Sequence, residues 1–465
     1  MKTLTTEDIK GLSSALRGRV ITSEDDDYDE VRSIWNNMVD RFPSFIVQCR
    51  GTADVISCVK FAKKTGIDFS VRGGGHHIAG NCIRDNAMMI DLSEMSSVFV
   101  DSSKKIAYVE PGATLGDLDH ETQAFALATS TGINSTTGIA GLTLGGGFGW
   151  LSRKHGMTID NLLSAEVVTA DGEAIIASAT ENTDLFWAIR GGGGNFGIIT
   201  RFEFQLHDVG PEIFSGLIVL PFDNAKETLN QYREYTQTLP DEMSVWAVVR
   251  HAPPLPFLDE KYHGKKVIVM AMFYAGSEES AMEFLTPILS FDKPYGSFYG
   301  MMPYKNWQQI FDGLLTPGAR NYWKSHSFKT LEDSTIDALV EYAEKNPSDQ
   351  SEIFIAQMGG YTSRQPEGKT AYSAREAQYI MNVHARWDNA SDDDKCIDWA
   401  RAFFDKASEH AMEGAYVNFM TADESARVES AYGRNYQKLV KVKEKYDPSN
   451  IFNFNHNIRP KNNKE

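Results

Sequence analysis

Apolar positions along the chain follow one rhythm before about residue 210 and another after it. Residues 45–49 form a short apolar run. Val55, Ile56, Val59 and Ala62 then recur at helical spacing behind Thr52, which the pattern makes an N-cap. Residues 67–71 alternate apolar and polar as a further strand, so 45–71 predicts a β-α-β unit. Further strands are predicted at 88–92, 106–109, 166–169 and 198–206, with Asp171-Gly172 turning a hairpin into 174–177. Beyond Pro211, amphipathic helices are predicted at 224–237, 278–289, 332–344 and 393–410. They alternate with strand-like runs at 213–220, 245–250, 267–273, 352–358 and 379–385. Strands with helices packed against them make this an α+β region with its own core. A last helix is predicted at 424–445.

Composition narrows the class. The chain has 465 residues, 42% hydrophobic and 23% charged, which suits a globular protein of two or three substructures. No apolar run approaches 18 residues and the N-terminus has no apolar leader, so no membrane span and no signal peptide are expected and the location is expected to be cytoplasmic. A net charge of −17 disfavours nucleic acid as a partner. Cys49, Cys58, Cys82 and Cys396 have no metal-site spacing and are expected to be ordinary thiols, with no metal bound.

Glycine changes the picture through its placement. Of 37 glycines, 20 lie between Gly73 and Gly197, in dense segments at 72–80, 111–116, 138–149 and 191–197. Arg72-Gly73-Gly74-Gly75-His76-His77 directly after a strand lets backbone N–H groups converge on an anion, and Arg72 would add charge. No GxxxxGK[ST] exists, and GLTLGGGFGW and GGGGNFGIIT do not follow the strand-GxGxxG-helix pattern with a later acidic residue. A P-loop and a nicotinamide-type Rossmann site are both disfavoured.

VRGGGHHIAGN (71–81), STTGIAGLTLGGGFGWLSRKHGMTIDNL (135–162), RGGGGNFGIIT (190–200) and YDPSNIFNFNHNIRP (446–460) resemble, in this order, the berberine bridge enzyme-like group. That group belongs to the vanillyl-alcohol oxidase/p-cresol methylhydroxylase superfamily, and the likeness is to its bacterial-type soluble members. The resemblance implies an α+β fold, with a two-subdomain FAD-binding domain (1–208) and a substrate domain built on an antiparallel sheet (209–415). A C-terminal segment (416–465) would return to the FAD domain.

The resemblance implies FAD joined covalently through His76, the histidine of the Arg-x-Gly-Gly-His motif. Cofactor contacts are implied for Arg72, Gly73, Gly74, Gly75, His77, Gly80 and Asn81 in the first loop. In the second they fall on Thr137, Gly138, Gly141, Leu142, Gly145, Gly146, Gly147, Gly149 and Asn161. Gly197, Ile199, Asn455 and Asn457 complete the set. The cysteine that gives relatives a second link falls at Asn134, so one covalent bond is expected.

Tyr416-Val417-Asn418 matches the segment whose tyrosine is the base in sugar- and alcohol-oxidising relatives, which implies Tyr416 as base. The helper positions of that base carry Phe148, Ile380 and Asn382 here, and Asn382 is the catalytic candidate among them. His384 offers a further polar partner. The implied activity is oxidation of an alcohol or hemiacetal, a carbohydrate first, with O2 as acceptor and H2O2 as product. The alternatives are an amine, alkaloid or secondary-metabolite alcohol oxidase or dehydrogenase, and a flavin carrier whose catalysis has decayed. A monomer or small homo-oligomer is expected.

Overall fold

The computed structural model describes residues 4–461. Its strands form sheets of four, five and seven members and one two-stranded ribbon. In the four-stranded sheet, Met88–Asp91 lies parallel between Phe45–Gln48 and Phe69–Arg72, and Arg19–Ile21 adds an antiparallel edge. The predicted β-α-β unit is present, with helix Thr52–Thr65, but its two strands are separated by the later one. The N-cap is Gly51, not Thr52. The Thr52 hydroxyl instead donates to Glu166 Oε1 at 2.8 Å, tying the helix to the next sheet.

That next sheet is antiparallel, in the order Val98–Asp101, Ile106–Val109, Ile198–Gln205, Leu162–Val168, Ala174–Ser178. Gly172, at φ 71°, turns the predicted hairpin.

The seven-stranded sheet is antiparallel throughout. Its order is Gly296–Pro303, Glu212–Pro221, Lys266–Tyr274, Met243–His251, Glu352–Gln357, Tyr379–Trp387 and Arg320–Phe328. Helices Ala225–Thr236, Asp333–Glu344 and Asp393–Lys406 cover one face, where Leu229, Tyr232, Leu339 and Phe403 pack on Met270, Ile355 and Met381. The opposite face carries Val269, Trp246, Ala356 and Ile380 and packs against Trp150, Tyr372 and Tyr416. Because side chains alternate along a strand, one residue in two on each central strand is committed to this second face. It is the face that meets the glycine loops.

The predicted helix at 424–445 is broken. Ala422–Arg427 is a 3-10 turn, Val428–Tyr432 a short helix, and Tyr436–Tyr446 the longer piece. Gly433, at φ 50°, interrupts them, because right-handed helix cannot pass through a left-handed residue. Val417, Met420, Val428 and Leu439 bury themselves with Phe202, Phe204 and Leu185 of the five-stranded sheet region.

One buried cation holds this tail in place. Lys443 Nζ donates to Asp447 Oδ2 (2.6 Å), the Asn195 carbonyl (2.8 Å) and the Phe452 carbonyl (2.8 Å), and both charged side chains are wholly buried. Asp447 in turn accepts the N–H groups of Ile451 and Phe452. Removing one partner of such a pair strands the other charge, which costs about 3–5 kcal/mol. Lys443→Met is therefore expected to lower unfolding stability by that amount in urea denaturation; an unchanged midpoint would refute the anchoring role.

Candidate active site

A cavity of about 700 Å³ opens where the glycine loops meet the seven-stranded sheet. One wall is backbone. Gly73 to His77 leave the carboxyl end of their strand, and Gly138, Gly141, Gly193, Gly194 and Gly197 face the same space. The first two loops cross backbone to backbone: a Cβ on Gly74 would stand 2.5 Å from the N and Cα of Gly138. Cβ positions on Gly141 and Gly194 would meet nothing within 4 Å, so these residues leave room beside the backbone. Among the described residues, the N–H groups of Gly74, Gly75 and His76 donate to no group of the chain, whereas the His77 N–H is turned to the Cys82 thiol. Free convergent donors beside open space suit an anionic ligand.

Arg72 differs from its expected role. Its Nε and Nη2 bind Asp91 at 2.9 and 2.6 Å, Nη1 donates to the carbonyls of Val31 and Ser33, and the side chain does not line the cavity. The guanidinium anchors the strand before the loop. Gly80, Gly145, Gly146, Gly147, Gly149, Asn161 and Asn457 also lie outside the cavity wall. A Cβ at Gly80 would strike Val39, and one at Gly149 would strike the Thr131 carbonyl, so both are required by packing. Asn161 holds the carbonyls of His155 and Met157 and meets His207 Nε2 at 2.6 Å. Asn81, Thr137, Leu142, Ile199 and Asn455 do face the cavity.

His76 sits against Trp35, with ring centroids 5.0 Å apart and planes 20° apart, and its Nε2 meets Thr136 Oγ1 at 2.9 Å. Burial holds its pKa down to about 4, so the imidazole is neutral. His77 is also neutral, its pKa lowered to about 3 by burial and by the nearby His456, and its Nδ1 accepts the Ala79 N–H at 3.2 Å.

The other wall is the sheet face. Trp246, Val248 and Phe354 are apolar, with Trp323 and Phe419 at the edge. Set into them is a polar island: Arg250 Nη1 binds Glu352 Oε2 at 2.6 Å, and Glu352 Oε1 stands 3.5 Å from His384 Nδ1. His384 Nε2 meets Asn321 Oδ1 at 3.1 Å. Asn382, wholly buried and also on this wall, has neither amide atom partnered.

Tyr416 stands where the walls join. Its hydroxyl accepts the Gly147 N–H at 3.1 Å and the Asn418 amide at 3.0 Å. Gly147 thus serves the site through this bond although it does not line the cavity. Phe148 and Phe419 pack on the Tyr416 ring at centroid distances of 5.0 and 4.8 Å. Burial raises the phenol, the two donors lower it, and burial prevails, leaving a pKa of about 12. Trp35 and the Arg250–Glu352 pair escaped the sequence reading. The alternation Trp246, Val248, Arg250 on one strand was the available signal.

A glycine-walled channel with free backbone donors, opening onto an aromatic chamber with one polar island, defines a flavin-type oxidoreductase site. Residues 43–178 match an FAD binding domain model and residues 415–459 match the model described as berberine and berberine like. The chain is 32% identical over 460 residues to an FAD-linked oxidoreductase of Dictyostelium discoideum, covering 98% of this chain and 97% of that one. The fold superposes on 6-hydroxy-D-nicotine oxidase from Arthrobacter nicotinovorans with TM-score 0.86 at 25% identity, covering 99% of this chain and all of that one. A carbohydrate oxidase from Microdochium nivale gives TM-score 0.83 at 25% identity over 97% and 99% of the two chains. The chain belongs to the berberine bridge enzyme-like family of FAD-linked oxidoreductases. No helix among the described residues is long and apolar enough to cross a membrane.

Proposed function

We propose that this FAD-dependent oxidoreductase is an oxidase acting at a C–OH carbon, with the flavin attached through His76. The observation that carries the reading is the Tyr416 hydroxyl, held by two donors at the junction of the cofactor loops and the aromatic chamber. When bound, FAD supplies a hydride acceptor at N5 and passes the electrons to O2, giving H2O2. Tyr416 takes the substrate hydroxyl proton as the C–H bond breaks. The Gly147 N–H and the Asn418 amide stabilise the phenolate by donating to its oxygen. Asn382 has a free donor and a free acceptor for substrate hydroxyls. Trp246, Phe354 and Phe419 offer aromatic faces for the C–H side of a ring.

A carbohydrate hemiacetal or alcohol fits this pairing of aromatic faces with a polar island, and Tyr416-Val417-Asn418 supports the same class. The largely apolar wall around that island favours a second reading, a ring amine or an aromatic alcohol. Anaerobic mixing with a panel of mono- and oligosaccharides, aromatic alcohols and cyclic amines separates the two. Sugars are expected to bleach the flavin absorbance. Bleaching by amines alone would install the second reading, and a flavin that nothing bleaches would point to decayed catalysis.

A further inference from the structure

The link to His76 requires one particular ring nitrogen to carry a free lone pair, and the protein controls which one. Asn134 Oδ1 accepts the backbone N–H of Thr136 at 3.0 Å. A backbone N–H can only donate, so this contact identifies the Asn134 atom as oxygen and fixes the amide orientation. The Thr136 hydroxyl lies 2.7 Å from the same oxygen, which cannot donate, so its single proton points there. The hydroxyl therefore has only a lone pair to offer His76 Nε2 at 2.9 Å. Nε2 must carry the imidazole proton, and Nδ1, which makes no hydrogen bond to any described group of the chain, keeps a free lone pair on a ring that lines the cavity. Trp35, stacked on that ring, restricts its rotation.

We propose that Asn134 and Thr136 are positioning residues for covalent flavin attachment: their hydrogen-bond chain locks His76 in the Nε2–H tautomer and so makes Nδ1 the nucleophile. The proposal rests on the reading that FAD is attached through His76. Asn134 stands where relatives with a second link have a cysteine, so in this chain the same position serves the first link instead. One bond forms, between Nδ1 and the methyl carbon on position 8 of the ring system. That methyl loses one hydrogen as a proton and leaves its C–H electron pair in the ring system. The imidazole loses its Nε2 proton to water. The ring system takes up two protons with the electron pair, and dioxygen removes both electrons and protons as H2O2. A neutral imidazole is required for the attack, and burial keeps His76 neutral at physiological pH.

Two substitutions break the chain differently. Thr136→Val removes the hydroxyl. Asn134→Ala keeps it but frees its proton, so it can donate to Nε2 and move the imidazole proton to Nδ1. The full-length protein, produced in flavin-limited cells, is mixed with FAD, and acid-stable flavin is followed by in-gel fluorescence and intact mass, with acid-extractable FAD measured in parallel. Both variants are expected to attach flavin roughly tenfold more slowly, the scale of one lost orienting hydrogen bond, while still binding extractable FAD. Thr136→Ser should restore the wild-type rate. The wild-type flavopeptide, labelled with 15N-histidine, should show the flavin on Nδ1. Wild-type attachment with both variants at the wild-type rate overturns the tautomer proposal alone. Wild-type protein with only extractable FAD overturns the attachment reading and this proposal with it. Should a variant fail to bind FAD, the flavopeptide decides, and flavin on Nε2 overturns the proposal.

Discussion

Tyr416→Phe is expected to slow anaerobic flavin reduction by substrate about 10²–10⁴-fold, the range lost when a positioned acid–base group is removed. The substitution deletes one oxygen and little else. Phe keeps the ring that packs on Phe148, Phe419 and Tyr372 at centroid distances of 5.0, 4.8 and 6.3 Å, so the chamber retains its shape. What is lost is the acceptor for the Gly147 N–H and the Asn418 amide, and with it the proposed base. Stopped-flow bleaching should show the loss in the limiting rate and little in the substrate concentration at half-saturation. The pH profile adds a second signature. A base must be deprotonated, and with the phenol at about 12 the phenolate fraction grows about tenfold per pH unit throughout the range below it. Wild-type reduction should therefore still be accelerating at about pH 9, whereas the Phe variant should be flat. An unchanged limiting rate in the variant, or a wild-type profile level through the alkaline range, would remove Tyr416 from the role.

The glycine wall of the cavity was legible because its demands are local. A glycine at positive φ, such as Gly75 at 71° or Gly193 at 70°, declares itself in the sequence at the position where the backbone needs it. The sheet wall is written across the chain. Arg250, Glu352 and His384 meet only because three strands are adjacent in the sheet, and both faces of the strand Tyr379–Trp387 are buried, which hides the alternation that would mark its cavity side. The same remoteness concealed Trp35, which reaches His76 across 41 residues of chain. Strand Arg320–Phe328 was not predicted because its two faces both mix polar and aromatic residues, and strand Gly296–Pro303 because it is a partly exposed edge. Arg72 misled in the opposite way: a cation beside a glycine run suggests an anion, and its actual partner, Asp91, enters from a neighbouring strand.

His76→Ala should abolish acid-stable flavin altogether and leave FAD held only by non-covalent contacts. The backbone donors at Gly74 and Gly75 do not depend on the His76 side chain, and neither does the crossing of Gly74 against Gly138, so the cradle survives the substitution. Protein precipitated with acid should then be colourless while the supernatant is yellow, the reverse of the wild type. Prolonged dialysis should strip FAD from the variant, since retention becomes a matter of mass action once the bond is gone. The neighbouring histidine supplies the control. The Nδ1 lone pair of His77 is engaged by the Ala79 N–H and its ring lies against His456, so His77→Ala is expected to keep its acid-stable flavin. Colour remaining in the acid pellet of His76→Ala would mean that another residue forms the link. The loop geometry argues against that outcome, because Trp35 and Thr136 hold the His76 ring in a fixed orientation, with no described group of the chain hydrogen-bonded to its Nδ1 on the cavity wall.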